Sequence, residues 1–103
     1  MLEVLSSEDF QKKINEKKIM VVDFFAEWCS PCKTLAVTLE KASENYKNID
    51  FVKIDIERSP DLTNKFMISS VPTVLVFKNG VVVSEFNGNK DYKKITSILE
   101  SVL

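Results

Sequence analysis

Ile19 to Ala26 is a nearly unbroken apolar run, interrupted only by Asp23, and Cys29-Ser30-Pro31-Cys32 follows it directly. A strand with one wet face alternates polar and apolar residues, whereas a continuous run must be covered on both faces. This strand therefore requires helices on each side of its sheet. Cys29 to Tyr46 supplies one, with Leu35, Leu39 and Ala42 as its core stripe.

The remaining elements alternate in the same sense, with no linker, repeat or low-complexity segment. Val4-Leu5 is a short first strand, and Ser6 or Ser7 caps a helix through Lys17 with Phe10 and Ile14 on its buried face. Phe51 to Ile56 is a second buried strand. Ser59-Pro60 opens a short helix to about Phe66, with proline in the first turn. Thr73 to Phe77 and Val81 to Phe86 flank Asn79-Gly80, a type I′ hairpin signal. Asn89 caps a last helix with Ile95, Ile98 and Leu99 inward. The expected order is βαβαβαββα, an α/β domain of parallel crossover units followed by an antiparallel hairpin. Such sheets place their chemistry at the carboxyl ends of the strands, which is where Cys29 falls.

Cys29 and Cys32 are the chain's only cysteines. The first N–H groups of a helix are unpaired, and with the macrodipole they favour negative charge. A free cysteine near pKa ~8.5 can be lowered to about 3.5 to 7.5 in such a place, and the thiolate is the nucleophile of disulfide exchange. Cys32 lies one turn on, on the same face, able to close a small ring with it. A zinc site needs about four ligands, and the chain has neither a second cysteine pair nor any His, so no metal is expected short of a site shared across a dimer. A structural staple gains little from so short a loop. Inert buried cysteines do not account for the helix-start position beside Trp28 and Pro31.

The 103 residues suffice for one domain, residues 1–103, burying about 60 to 70% of its unfolded surface. With 14 basic residues against 15 acidic ones, interspersed, nothing marks a nucleic-acid or anionic-membrane partner. The start lacks a signal-peptide pattern and no run is long enough to span a membrane, so a soluble, cytoplasmic protein is expected; a monomer is expected as well. No G-x-G-x-x-G occurs, so no nucleotide cofactor is expected and electrons must come from another protein.

The segments Val22-Asp23-Phe24-Phe25-Ala26-Glu27-Trp28-Cys29-Ser30-Pro31-Cys32-Lys33, Lys53-Ile54-Asp55-Ile56, Val71-Pro72-Thr73, Phe77-Lys78-Asn79-Gly80 and Gly88 together resemble the thioredoxin family over essentially the whole chain. The resemblance implies a thioredoxin fold, a mixed five-stranded sheet flanked by four helices, and protein-disulfide reductase activity. It implies Cys29 as nucleophile, Cys32 as resolving thiol, and a reductase of the thioredoxin reductase type as electron donor to a protein that reduces disulfide-containing clients. Asp23 interrupts a buried strand, where burial penalises its charged form, and Lys53 interrupts Phe51 to Ile56 in the same way. Taken alone, a lone charge in a strand is usually a snorkelling or edge residue. By resemblance Asp23 is a buried general acid/base acting through water on Cys32, and Lys53 modulates its charge.

The resemblance further implies a cis bond before Pro72, against the general prevalence of trans, and a client strand pairing with Val71. Trp28, Pro31, Ile56, Val71, Pro72 and Gly88 would form the client-binding rim. Three positions depart from the family pattern: Ser30 replaces a usual glycine and is expected to tune the redox potential, Val37 stands where a helix-kinking proline is common, and Phe25 replaces a frequent tryptophan. Two other readings remain. One is a redox-silent binding subunit using the apolar rim. The other is a disulfide oxidant or isomerase, disfavoured because no His lies between the cysteines.

Overall fold

The computed structural model describes residues 2–16 and 18–103. Its elements are β1 (Glu3–Val4), α1 (Ser7–Glu16), β2 (Ile19–Phe25), α2 (Ser30–Asn45), β3 (Asp50–Asp55), α3 (Pro60–Lys65), β4 (Thr73–Lys78), β5 (Val81–Asn87) and α4 (Tyr92–Val102). The sheet order is β1-β3-β2-β4-β5. β3 runs parallel to both β1 and β2, and β4 is antiparallel to both β2 and β5. The thioredoxin fold expected from the sequence is thus observed, with β2 at the centre and every one of its residues buried.

The pleat of β2 sorts the core into two layers. Ile19 and Val21 pack with Leu35 and Leu39 of α2 and with Ile95 and Leu99 of α4. Met20, Val22 and Phe24 face the other way, against Phe10 of α1 and Leu62 of α3. There Phe10, Phe24, Phe66 and Phe77 make edge-to-face contacts with ring centroids 5.5 to 6.1 Å apart. Asp23 has the parity of Val21, so it points to the α2 side.

Local chemistry explains most of the boundaries. Ser6 caps α1 by accepting the Asp9 N–H at 3.1 Å; the expected last residue of that helix, Lys17, lies outside the described residues. Asn79 and Gly80 have φ of 52° and 81°, the positive pair that a type I′ turn requires. The last helix starts later than expected. Asp91, not Asn89, is its cap, accepting the Lys94 N–H at 2.9 Å. Both residue types cap well, and the nearer one to the apolar stripe is used. In β5, Ser84 pairs with Val76 and Val82 with Phe77, leaving Val83 as the extra residue of a bulge.

α3 ends in a Schellman arrangement: Ile68 N–H donates to the Thr63 carbonyl at 2.9 Å and Met67 N–H to the Asn64 carbonyl at 3.1 Å. Met67 holds φ of 53°, the left-handed position usually given to glycine, and is 86% exposed. Left-handed backbone costs an L-residue about 1 to 2 kcal/mol, and glycine avoids it at an entropic cost of about 0.5 to 1 kcal/mol. Met67→Gly is therefore expected to stabilise the fold by roughly 0.5 to 1 kcal/mol, read as a higher urea midpoint at unchanged slope. A lower midpoint would show that the methionine makes compensating contacts.

Candidate active site

β2 ends at Phe25, and a turn closed by the Cys29 N–H on the Ala26 carbonyl, at 3.1 Å, carries the chain into α2. Cys29 is the N-cap residue of this 16-residue helix, with extended φ and ψ of −93° and 107°. Its Sγ takes the place of a capping oxygen and accepts the Cys32 N–H at 3.2 Å. The two sulfurs are joined as a disulfide across a Cα separation of 5.3 Å. Pro31 sits in the first turn, where no N–H is needed. α2 runs without interruption through Val37, the position where a kinking proline would bend it.

Cys29 and Cys32 are almost equally covered, at 4% and 2% exposure. What distinguishes them is position: Cys29 stands outside the helix with an N–H aimed at its sulfur, and Cys32 lies within the first turn. They pack with Phe25, Ala26, Ile56 and Val71. On one side is an open depression of about 140 Å³ lined by Trp28, Ile56, Ile68, Ser69, Ser70 and Val71. On the other is a cavity of about 330 Å³ lined by Phe25, Ala26, Glu27, Cys32, Lys33 and Lys53. Cys32 therefore borders a cavity that also carries Glu27, Lys33 and Lys53, separate from the apolar depression beside Trp28.

Asp23 is fully buried, and neither of its carboxylate oxygens has a hydrogen-bond partner among the described residues. It lies opposite Lys53 in the parallel β2–β3 register and opposite Val74 on β4. The Lys53 ammonium sits over the Phe25 ring, 4.1 Å from its centroid. Burial pushes the Asp23 carboxyl up from 3.8 to about 7, against the opposing pull of the Lys53 charge.

The Val71-Pro72 bond is cis, as the resemblance implied. Gly88 N–H donates to the Pro72 carbonyl at 2.9 Å, and its φ of 75° is one that glycine adopts freely. No hydrogen bond among the described residues uses the Val71 amide or carbonyl. Trp28, 68% exposed, Ile56 and Val71 thus meet at the depression beside the dithiol. Pro31, Pro72 and Gly88 stand outside its lining.

Sequence reasoning did not single out Glu27 and Lys33, which border the Cys32 cavity, or Ile68, Ser69 and Ser70. The first two flank the dithiol directly, and that adjacency was the available signal. The loop residues precede Val71-Pro72 and carry no pattern of their own.

A disulfide that caps a helix at the carboxyl end of a central strand, with a buried carboxylate on that strand and an apolar depression beside the sulfurs, defines a dithiol–disulfide oxidoreductase site. The thioredoxin family model matches residues 1–101. The chain is 42% identical over 83 residues to thioredoxin-1 of Saccharomyces cerevisiae, covering 81% of each. It is 39% identical over 102 residues to the mitochondrial thioredoxin of Mus musculus, covering 97% of this chain and 61% of that one. A solved structure of Plasmodium falciparum thioredoxin superposes with a TM-score of 0.92 at 33% identity, covering 99% of this chain and 100% of that one. The chain belongs to the thioredoxin family. Its activity is protein-disulfide reduction by thiol–disulfide exchange, carried by the Cys29–Cys32 pair.

Proposed function

We propose that residues 1–103 act as one domain that passes two electrons from a reductase to client disulfides, with each site residue in a defined role. The observation that carries this reading is the Cys29 sulfur capping α2 while the Cys32 side opens toward Lys53. Cys29 thiolate, favoured by the capping N–H and the helix dipole, attacks a client disulfide. A Cys29–client bond forms as the client's own bond breaks, and one client thiolate leaves. Cys32 then loses its proton to Asp23 through water and attacks the Cys29 sulfur. This releases the second client thiolate and forms the Cys29–Cys32 disulfide. Lys53 tempers the charge on Asp23. The client's extended backbone pairs with the free Val71 amide and carbonyl while Trp28, Ile56 and Pro72 support its side chains, with Pro31 and Gly88 at the margins.

Thioredoxin reductase, as the family implies, restores the dithiol. The protein acts as a monomer in the cytoplasm, a compartment that keeps thiols reduced. Among the described residues no helix is long and apolar enough to cross a membrane. Equilibration of the purified protein with a glutathione redox buffer tests the direction of electron flow. A strongly reducing potential is expected, and a value near the oxidising end would instead mark a disulfide donor.

Ser30 is the proposed tuning residue. Its hydroxyl makes no hydrogen bond among the described residues in this disulfide form, so its effect belongs to the dithiol form. A hydroxyl donating to the Cys29 thiolate stabilises that form and makes the site more oxidising. Exposure weakens such a bond to roughly 1 kcal/mol or less. Ser30→Gly is therefore expected to move the potential by up to about 20 mV in the reducing direction. No movement, or movement the other way, would assign the effect of Ser30 to backbone restriction.

A further inference from the structure

We propose that Asn87 is a positioning residue for client docking, holding the Ser70–Thr73 corner so that the Val71 backbone is presented at a fixed edge. This rests on the reading of Val71 as the client's pairing edge. Asn87 ends β5 directly opposite Thr73 on β4. Its Nδ2 donates to Thr73 Oγ1 at 2.8 Å and reaches Ser70 Oγ at 3.4 Å. The Thr73 hydroxyl in turn donates to the Ser70 carbonyl at 2.7 Å. That hydroxyl has one proton, already committed to Ser70, so Asn87 satisfies its accepting side. The next residue, Gly88, binds the Pro72 carbonyl.

The segment that carries the cis bond is thus tied from residues 87 and 88 on both sides of Val71, while Val71's own polar backbone groups are left unused among the described residues. Asn87 is exposed and belongs to no core cluster. Asparagine is a poor strand residue. Its place at the end of an edge strand is explained by the bonds it makes across to the corner. A corner held in one geometry spares a docking client part of the ordering cost of association. The exchange chemistry, set by the helix start, does not pass through Asn87.

Asn87→Val removes both donors while improving strand propensity, so the variant should fold, which a thermal melt checks. The pre-reduced protein is oxidised by insulin at varied concentration, and separately by bis(hydroxyethyl) disulfide, which has no peptide backbone to pair. The KM for insulin should rise roughly three- to tenfold, the loss of one or two net hydrogen bonds. kcat, the rate with the small disulfide and the glutathione equilibrium should stay within about twofold of the parent, the change left when no hydrogen bond contributes. An unchanged KM for insulin, or a parallel fall in the small-disulfide rate, overturns the assignment. A disulfide peptide N-methylated beside its cysteine separates the two readings. If methylation leaves the parent protein's rate unchanged, the Val71 edge itself fails. If methylation slows the parent while Asn87→Val keeps the parent KM for insulin, the edge stands and the Asn87 role fails.

Discussion

Cys32→Ser will capture client proteins as stable mixed disulfides, and Cys29→Ser will capture none and reduce none. The asymmetry does not come from exposure, since the two residues are covered to within 2% of each other at 4% and 2%. It comes from the helix start. Cys29 lies at the N-cap with the Cys32 N–H directed at its sulfur, which favours its thiolate and makes it the attacking sulfur of the proposed mechanism. Once the Cys29–client bond has formed, only a second thiolate from within the first turn can displace the client, and serine cannot supply one. The same geometry orders the alkylation rates of the reduced protein, Cys29 ahead of Cys32 at neutral pH. Thioredoxin's thiol near pKa ~7 is itself a standard example of this effect, so the order alone is predicted. Equal rates, or trapping by Cys29→Ser, would reverse the assignment. Non-reducing gels of lysate and mass spectrometry of alkylated peptides read both outcomes.

Asp23→Ala should stabilise the fold at pH 8 and slow disulfide reduction. Burial raises the Asp23 carboxyl from 3.8 to about 7. Between those values the unfolded chain has released its proton and the folded protein has kept it. Relative stability is therefore fully present below about pH 4 and is lost progressively as pH rises through about 7. At about 1.4 kcal/mol per pH unit, the wild type gives up roughly 4 kcal/mol over that interval. Alanine abolishes this loss but leaves a small void costing about 1 kcal/mol. The net expectation is a gain of about 2 to 3 kcal/mol at pH 8 and a difference within about 1 kcal/mol at pH 4. Urea melts at both pH values measure it. The resolution step should slow by a factor of about 100, the low end for a positioned acid–base group, and its pH profile should lose the inflection near 7. Strong destabilisation at pH 8 with turnover unchanged would remove Asp23 from the mechanism.

Much of this was legible in the chain because the deciding interactions are local. The continuous run of β2 demanded cover on both faces, and α1 and α3 on one side with α2 and α4 on the other provide it. Asn79-Gly80 predicted its turn because two adjacent positive φ values are needed there. The dithiol was placed at a helix start by the residues around it. The last cap was not fixed locally: Asn89 and Asp91 are both competent, and Asp91 is the one next to the stripe of Ile95 and Leu99 that packs against the sheet. The bulge at Val83 had no sequence mark, because it depends on how β5 registers against β4.

The sequence by itself determined the layering of the fold, the position of the dithiol and the chemistry available to it, since periodicity and turn preference act between residues close along the chain. Only the tertiary structure decided that the Asp23 carboxylate has no hydrogen-bond partner among the described residues, that Lys53 rests over Phe25, and that Asn87 reaches the Ser70–Thr73 corner. Those facts arise from strands and helices remote in sequence. A carboxyl's proton affinity depends on what excludes water from it, and a hydrogen bond between β4 and β5 depends on a register that no single strand encodes.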